Sequence, residues 1–383
     1  MKRYLWHRVA FVLLRYTAGP ILKRSMGYRC EKQKGPEAPS LIISNHNTDL
    51  DPALVGLAFS RQMYYLASEH AFRNGFASKM LKFLFDPIPF NKTRADVYAI
   101  KEMIRRLKAG ANVCLFAEGD RSFTGITAPV PASTAKLVKL SGVEMVTFRL
   151  EGGYFTTPRW SKKKRKGKMT GAMVNRYTVE ELKGMTEEQI ISAIDRDIYE
   201  DACERQKVRQ DRFCGENLAE SIETALFLCP GCNKIGAIRS EGDRFFCGCG
   251  LSGVYTETGM LEGAELRFST TSEWGKWQDE QLETIVGEAG GGVICSDEGQ
   301  TLYKVRPAID KTLIGEGQMS IDREVFRCAG HDFPVGQITK FAIVGQMTLL
   351  FSTIGGESYE VRSNAPRSAL KYREIFRVLT ESD

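Results

Sequence analysis

The sequence predicts an α/β domain with helices flanking a mostly parallel sheet, then a small cysteine-stapled β unit, then a β-rich module closed by one helix. Three observations predict it. Residues 38–150 alternate short apolar runs with helix-length amphipathic stretches. Four cysteines bunch as two close pairs between residues 229 and 249. From about residue 256 onward, short, evenly spaced, glycine-punctuated runs end in a single apolar-striped segment. A chain of 383 residues is expected to hold two or three domains, and 43% hydrophobic with 26% charged residues is the composition of a folded protein, not a disordered one.

The first thirty residues form their own region. Residues 1–35 hold nine cations against the single acid Glu31, whereas residues 251–300 hold ten acids against Arg267 and Lys276. The front of the chain therefore faces something anionic. Leu5, Trp6, Val9, Phe11, Val12, Leu13, Leu14 and Tyr16 alternate with Arg3, Arg8 and Arg15. This predicts a short basic helix, broken at Gly19-Pro20 before a second piece with Ile21, Leu22 and Met26. Helices of this kind either lie in the interface of an anionic bilayer or pack on the core, and the charge excess favours the membrane surface. No stretch reaches the roughly 18 apolar residues of a spanning helix, and no small-residue cleavage site follows an apolar core. Of ten cysteines, six are scattered singly, which fits a reducing compartment. The expected location is the cytoplasmic face of a membrane, peripheral or monotopic.

Residues 31–215 carry the α/β pattern. Leu41–Ser44, Met63–Ala67, Val113–Ala117 and Met145–Leu150 read as strands. Asp51–Phe59, Ala95–Ala109 and Ala132–Leu140 read as helices, and a helix around Thr186–Arg205 closes the domain. In the segment from Ala95, the residues Val97, Ile100, Met103, Ile104 and Leu107 recur at helical spacing, with Lys101, Glu102, Arg105, Arg106 and Lys108 on the other face. In such sheets chemistry collects beyond the strand C-termini. Two polar segments fall there. One is Ser44-Asn45-His46-Asn47-Thr48-Asp49-Leu50-Asp51, directly after Leu41-Ile42-Ile43; the other is Phe116-Ala117-Glu118-Gly119-Asp120-Arg121-Ser122, after Val113-Cys114-Leu115. A histidine oriented by a nearby carboxylate is a general base for a hydroxyl. Asp51 has a second possible role as the N-cap before Pro52, and Asp49 is an alternative partner for His46.

Together these segments resemble the glycerolipid acyltransferase family, which contains the lysophosphatidic acid acyltransferases of PlsC type. Its first motif, Asn-His-x4-Asp, is matched by Asn45, His46 and Asp51. Its Phe-Pro-Glu-Gly-Thr-Arg-Ser motif is matched by Phe116, Glu118, Gly119, Arg121 and Ser122, with Ala117 and Asp120 as departures. Ile88-Pro89-Phe90-Asn91-Lys92 fits the segment between them, with Arg94 just beyond, and Gly142–Phe148 stands in outline for a fourth block. The resemblance spans roughly residues 1–210. It implies transfer of a fatty acyl group from acyl-CoA or acyl carrier protein to a lysophospholipid hydroxyl, most simply 1-acylglycerol-3-phosphate giving phosphatidic acid. His46 is then the base and Asp51 its orienting acid. Lys92, Arg94, Glu118, Gly119 and Arg121 bind the acceptor, and no catalytic cofactor is required. Asp120 weakens an anion site at Arg121 unless it points away. The alternative is a catalytically idle scaffold that recruits a partner through its appended domains.

The run Ser161–Lys168 holds six cations and no acid. It reads either as a solvated surface loop or as a contact for anionic headgroups or acyl carrier protein. Without interleaved aromatic residues it does not suit nucleic acid. In residues 225–255, Cys229 and Cys232 are followed fifteen positions later by Cys247 and then Cys249. Two close pairs around a hairpin-length insert supply four thiolates for a structural Zn2+ in a zinc ribbon, with Phe245 and Phe246 covering its back. A redox dithiol would use only the first pair. Residues 256–383 read as strands at Val293–Cys295, Thr301–Val305, Thr312–Ile314, Glu324–Cys328, Ile338–Val344, Thr348–Ser352 and Ser358–Arg362, then a helix at Ala365–Leu379. That order resembles the pleckstrin-homology superfold. The acidic segment with Trp274 and Trp277 reads as a helix packed on these strands, and His331 as part of a turn.

Overall fold

The computed structural model describes residues 2–30, 39–69, 72, 75–93, 96–306 and 310–381. The chain divides into two compact units: residues 1–91, 96–158 and 164–214 in the first, and residues 92–95, 159–163 and 215–383 in the second.

The first unit opens with α1 (Lys2–Met26), followed by β1 (Tyr28–Cys30), β2 (Ser40–Ser44), α2 (Asp51–Ala58) and β3 (Met63–Ser68). Next come α3 (Gly75–Phe85), β4 (Ile88–Phe90), α4 (Val97–Lys108), β5 (Asn112–Phe116) and α5 (Ser133–Ser141). It continues with β6 (Glu144–Glu151), α6 (Gly153–Thr156), β7 (Met169–Tyr177), α7 (Val179–Gly184), α8 (Glu187–Ile198) and α9 (Ala202–Arg209). The sheet order is β1-β7-β6-β2-β5-β3-β4. Only the β6–β7 pairing is antiparallel. The α/β expectation therefore holds.

The continuous apolar runs follow from burial on both faces. Leu41 and Ile43 of β2 enter one core with Val113, Met145, Met103 and Ile194, whereas Ile42 enters the other with Cys114, Val146 and Phe148. Three helices depart from expectation. Helix α1 runs through Gly19-Pro20 without a break. The amide that Pro20 lacks would have bonded the carbonyl of Tyr16, an exposed residue. A side chain at Gly19 would meet Leu57 at 2.7 Å, so glycine lets the helix lie close on α2. The predicted helix over Thr186–Arg205 is two helices, because the Asp201 carboxylate accepts the Cys203 and Glu204 amides, both at 3.1 Å, and starts α9 afresh. In α4, Val97 and Ile100 are exposed while Arg106 is buried. Its guanidinium pairs with Asp86 at 3.0 Å and Glu102 at 2.8 Å and lies over the Tyr64 ring at 4.3 Å. Specific partners outweigh periodicity there.

In the second unit, β8 (Ile238–Glu241), β9 (Arg244–Cys247), β10 (Ser252–Tyr255) and β11 (Leu261–Glu262) form a four-stranded antiparallel sheet. Helix α10 (Thr271–Glu288) packs its tryptophan side on that sheet and on the cysteine loops. Trp274 donates from Nε1 to the Leu228 carbonyl at 2.9 Å and sits edge-on to Phe245, and Gln278 bonds the backbone of Ala225, Phe227 and Leu228. The Trp274 side chain thus covers the small cysteine sheet, while the far end of the same helix meets the larger module as expected, its Val286 and Gly287 carbonyls accepting from Arg323. Phe245 is buried beside it and Phe246 is exposed, correcting the expectation that both cover the back.

Seven strands follow: β12 (Cys295–Arg306), β13 (Asp310–Ile321), β14 (Val325–Cys328), β15 (His331–Pro334), β16 (Ile338–Val344), β17 (Thr348–Thr353) and β18 (Ser358–Ser363). All pair antiparallel in the order β15-β14-β13-β12-β18-β17-β16, and α11 (Ala369–Glu381) ends the module. This is the β-rich, pleckstrin-homology-like arrangement expected. The short runs near residues 295 and 301 merge into one long strand through bulges at Asp297/Gln300 and Leu302/Tyr303. His331 begins a strand and pairs with Cys328 across the Ala329-Gly330 turn, which it closes.

Candidate active site

Register builds the site. Strands β2 and β5 run parallel with Ser44 opposite Phe116, so the residues two positions beyond each, His46 and Glu118, become neighbours. The Glu118 Oε1 atom accepts the His46 main-chain N–H at 2.7 Å, and Oε2 accepts the Ala128 N–H at 2.8 Å. Phe116 stacks on the imidazole with centroids 4.5 Å apart. Burial pushes the Glu118 carboxyl up to about 8, against the two amides that favour its charged form. Glu118 thus organises the two loops.

The His46 Nδ1 atom lies 2.9 Å from Asp51 Oδ2. That oxygen also accepts the amides of Asn47 at 2.6 Å and Thr48 at 2.8 Å, and Oδ1 accepts the Thr48 hydroxyl at 2.7 Å. Asp51 is fully buried, whereas the imidazole keeps partial access to solvent. The predicted N-cap role is not the one found: Asp51 is inside α2, and its carboxylate caps the turn upstream instead of its own helix. Because the carboxylate can only accept, Nδ1 carries the proton and Nε2 presents a lone pair. Asp49, the alternative partner for His46, pairs with Arg121 at 2.9 Å.

A buried polar layer holds this turn in place. Asn45 both donates to and accepts from the Leu150 backbone, at 2.8 and 2.7 Å. Asn47 donates to the Leu150 carbonyl at 3.1 Å and to Glu200 at 3.0 Å. A side chain on Gly153 would meet Asn47 Cβ at 2.7 Å. Glu200 in turn accepts the Gly152 amide at 3.3 Å and pairs with Arg205. Burial raises its carboxyl above the ordinary range. The sequence reading missed Asn47, Leu150, Glu200 and Arg205. Asn47 lay inside a recognised motif, but nothing in the spacing marks Glu200, which is 153 positions away.

Arg121 is held by all three guanidinium nitrogens: Nε to the Asn47 carbonyl at 3.0 Å, Nη2 to the Thr157 carbonyl at 2.7 Å and Nη1 to Asp49. Gly119 has φ +71° with open space where a side chain would stand, so its turn needs glycine. Asp120 accepts the Arg121 main-chain N–H at 3.0 Å, and Ser122 accepts the Gly125 N–H at 2.8 Å, which shapes the loop. The structure therefore brings together His46, Asp51, Glu118, Gly119 and Arg121. Lys92 clusters with the second unit, where its ammonium reaches the Ile343 carbonyl at 3.5 Å. Arg94 lies outside the described residues.

In the second unit, Cys229, Cys232, Cys247 and Cys249 place their sulfurs within 4.8 Å of one another, a set able to hold a metal ion. Asn233 donates to the Cys229 carbonyl at 2.8 Å, closing the first knuckle.

Residues 28–151 match the family model described as Acyltransferase, so the segment bearing His46, Asp51, Glu118 and Arg121 is an acyltransferase domain. Among solved structures, the 1-acyl-sn-glycerophosphate (LPA) acyltransferase PlsC from Thermotoga maritima is similar at 16% identity and a TM-score of 0.40, covering 54% of this chain and 96% of its own. Among curated proteins, no relative matches.

Proposed function

From this acyltransferase domain, we propose that the protein moves a fatty acyl group from a thioester, on coenzyme A or acyl carrier protein, to a lysophospholipid hydroxyl at a membrane surface. The acceptor that best suits Arg121 is 1-acylglycerol-3-phosphate, which would give phosphatidic acid. The observation that carries this reading is the 2.9 Å contact between His46 Nδ1 and a buried, four-donor Asp51.

The chemistry follows from that pair. His46 Nε2 takes the acceptor's hydroxyl proton as its oxygen attacks the thioester carbonyl carbon. Asp51 stabilises the imidazolium and holds the ring in one orientation, as the acid of a triad does without a serine. The tetrahedral intermediate then collapses, the C–S bond breaks, and the imidazolium returns its proton to the leaving thiolate. No covalent acyl-enzyme is needed. Arg121 would bind the acceptor's phosphate, and Glu118 acts through the loop that presents His46.

A membrane surface is supported by an inverted α1. The helix buries His7, Ala10 and Gly19 and exposes Leu5, Trp6, Val9, Leu13, Tyr16 and Ile21, the last of these 72% exposed. Phe83 of α3 joins them, its ring 5.4 Å from Trp6. Apolar side chains among arginines suit the headgroup boundary of an anionic bilayer. No helix among the described residues is long and apolar enough to cross a membrane. For the cysteine cluster we favour structural Zn2+. Tetrahedral Zn–S bonds of about 2.3 Å put sulfurs about 3.8 Å apart, and Cys229–Cys249 and Cys232–Cys247 stand at 3.6 and 3.8 Å.

The test is acyl transfer from both thioester donors to a panel of lysophospholipids, by the intact protein and by His46→Ala. Product that disappears in the variant is expected. No product with any donor or acceptor, from folded protein supplied with lipid, would overturn the reading in favour of a scaffold.

A further inference from the structure

We propose that Asp49 occupies the acceptor's anion position on Arg121 and must yield it when a phosphate headgroup binds, so that Asp49 sets the affinity and charge preference of the site. This rests on Arg121 being the phosphate clamp of the proposed reaction.

Three groups that hold the Arg121 guanidinium differ in kind. The Asn47 and Thr157 carbonyls belong to backbone that is itself fixed, the first through Asn47 on Leu150 and Glu200, the second through the Thr157 amide on the Gly153 carbonyl at 3.0 Å. They set the plane and direction of the guanidinium. The third partner is a short side chain in the turn before α2, 85% exposed, against 12% for Arg121. Of the three, only this carboxylate can be exchanged without moving main chain. It also places an acceptor-type oxygen where a phosphate oxygen would sit, in the same turn that carries the base.

The balance can be worked out. A phosphomonoester carries roughly −1.5 to −2 at pH 7, a single carboxylate −1, so the headgroup wins the guanidinium. It still loses the affinity spent on displacing Asp49 and on the repulsion that remains nearby. An exposed ion pair contributes about 0.2–1 kcal/mol, which is roughly 1.4- to 5-fold in a dissociation constant. The residual repulsion grows with headgroup charge, so monoesters lose more than diesters, and neutral acceptors lose nothing.

Glycerol 3-phosphate is the probe, titrated by NMR or calorimetry into the full chain, into Asp49→Asn and into Asp120→Asn, with glycerol as the neutral control. Asp49→Asn is expected to bind the phosphate about two- to fivefold tighter, with glycerol unchanged. Asp120→Asn alters the charge equally but leaves the Asp49–Arg121 pair in place, and is expected to gain less than Asp49→Asn does. In turnover, Asp49→Asn should lower the KM for the acceptor, most for phosphomonoesters, while the KM for the thioester donor stays put. Unchanged phosphate affinity, an equal gain in Asp120→Asn, or a shift in the donor's KM instead would each overturn the proposal. Absence of turnover in the parent and in every variant, with the affinity shift intact, would overturn the acyl-transfer reading and leave this one standing.

Discussion

Replacing Asp51 separates its two jobs. Its Oδ2 atom takes three donors and its Oδ1 takes the Thr48 hydroxyl. Asparagine can keep the first set by placing its oxygen at Oδ2. Its NH2 then faces the Thr48 hydroxyl, which can turn to accept, since it already accepts the Leu50 amide at 3.2 Å and has a second lone pair. The cost is the difference between charged and neutral acceptors, about 1–2 kcal/mol. Alanine instead strands the Asn47 and Thr48 amides in a dry turn at about 1–3 kcal/mol each, a fall of very roughly 5–20 °C in Tm at about 2–4 °C per kcal/mol. Turnover tells the other half. Without the negative charge the imidazolium loses its counter-ion, and general-base assistance worth about 10²–10⁴ is at stake. Thermal unfolding and initial acyl-transfer rates on the same preparations read both quantities. Asp51→Asn should remain folded and lose at least a hundredfold in kcat. A folded Asp51→Asn within tenfold of the parent would refute the reasoning and reduce Asp51 to a turn cap.

Arg106→Met should destabilise the first unit by about 3–5 kcal/mol, because Asp86 and Glu102 are left without their buried cation; denaturant unfolding measures it, and a change below about 1 kcal/mol would mean water has replaced the guanidinium. Glu118 sits at about 8 in the folded chain, above its ordinary 4.5, so its contribution to stability is present at low pH and lost as pH rises through about 8. Tm should therefore decline between pH 5 and 8 (a window spanning about the interval from ordinary to shifted pKa), with a shallower slope in Glu118→Gln; identical slopes would assign the decline elsewhere. Chelation should remove one zinc per chain and shift Trp274 fluorescence, since its indole bonds Leu228, next to Cys229; metal analysis finding no zinc in the reduced, folded protein would count against the ribbon.

The parts of this molecule legible in its sequence are those set by local periodicity or by short spacing. Leu41-Ile42-Ile43 reads as a doubly buried strand because both of its faces are apolar, and His46 with Asp51 reads as a pair because a turn of that length closes on itself. The four cysteines are equally local. What stayed hidden depends on partners far along the chain. Arg106 looks solvent-facing from its helical position, and only Asp86, Glu102 and the Tyr64 ring make its burial tolerable. Pro20 looks like a helix stop, yet α1 runs on through it, with Gly19 lying close on Leu57 of α2. Strand β12 looks like two strands because bulges interrupt its alternation.

Glu200 shows why a motif is not yet a site. The His46–Asp51 turn could bond internally in a peptide, but its backbone would then be free to swing about Ser44. What fixes it is a second attachment, with Asn45 and Asn47 both tied to the Leu150 carbonyl and Asn47 tied to Glu200. Glu200 can be buried only because Arg205, one turn into α9, supplies its counter-charge. The break between α8 and α9 is what presents both residues to the strand ends. A helix running unbroken from residue 187 to 209 would carry position 200 past the site without its own turn. The Asp201 cap that creates the break is therefore part of how the base is held, although it touches neither His46 nor Asp51 in the sequence motif that announces them.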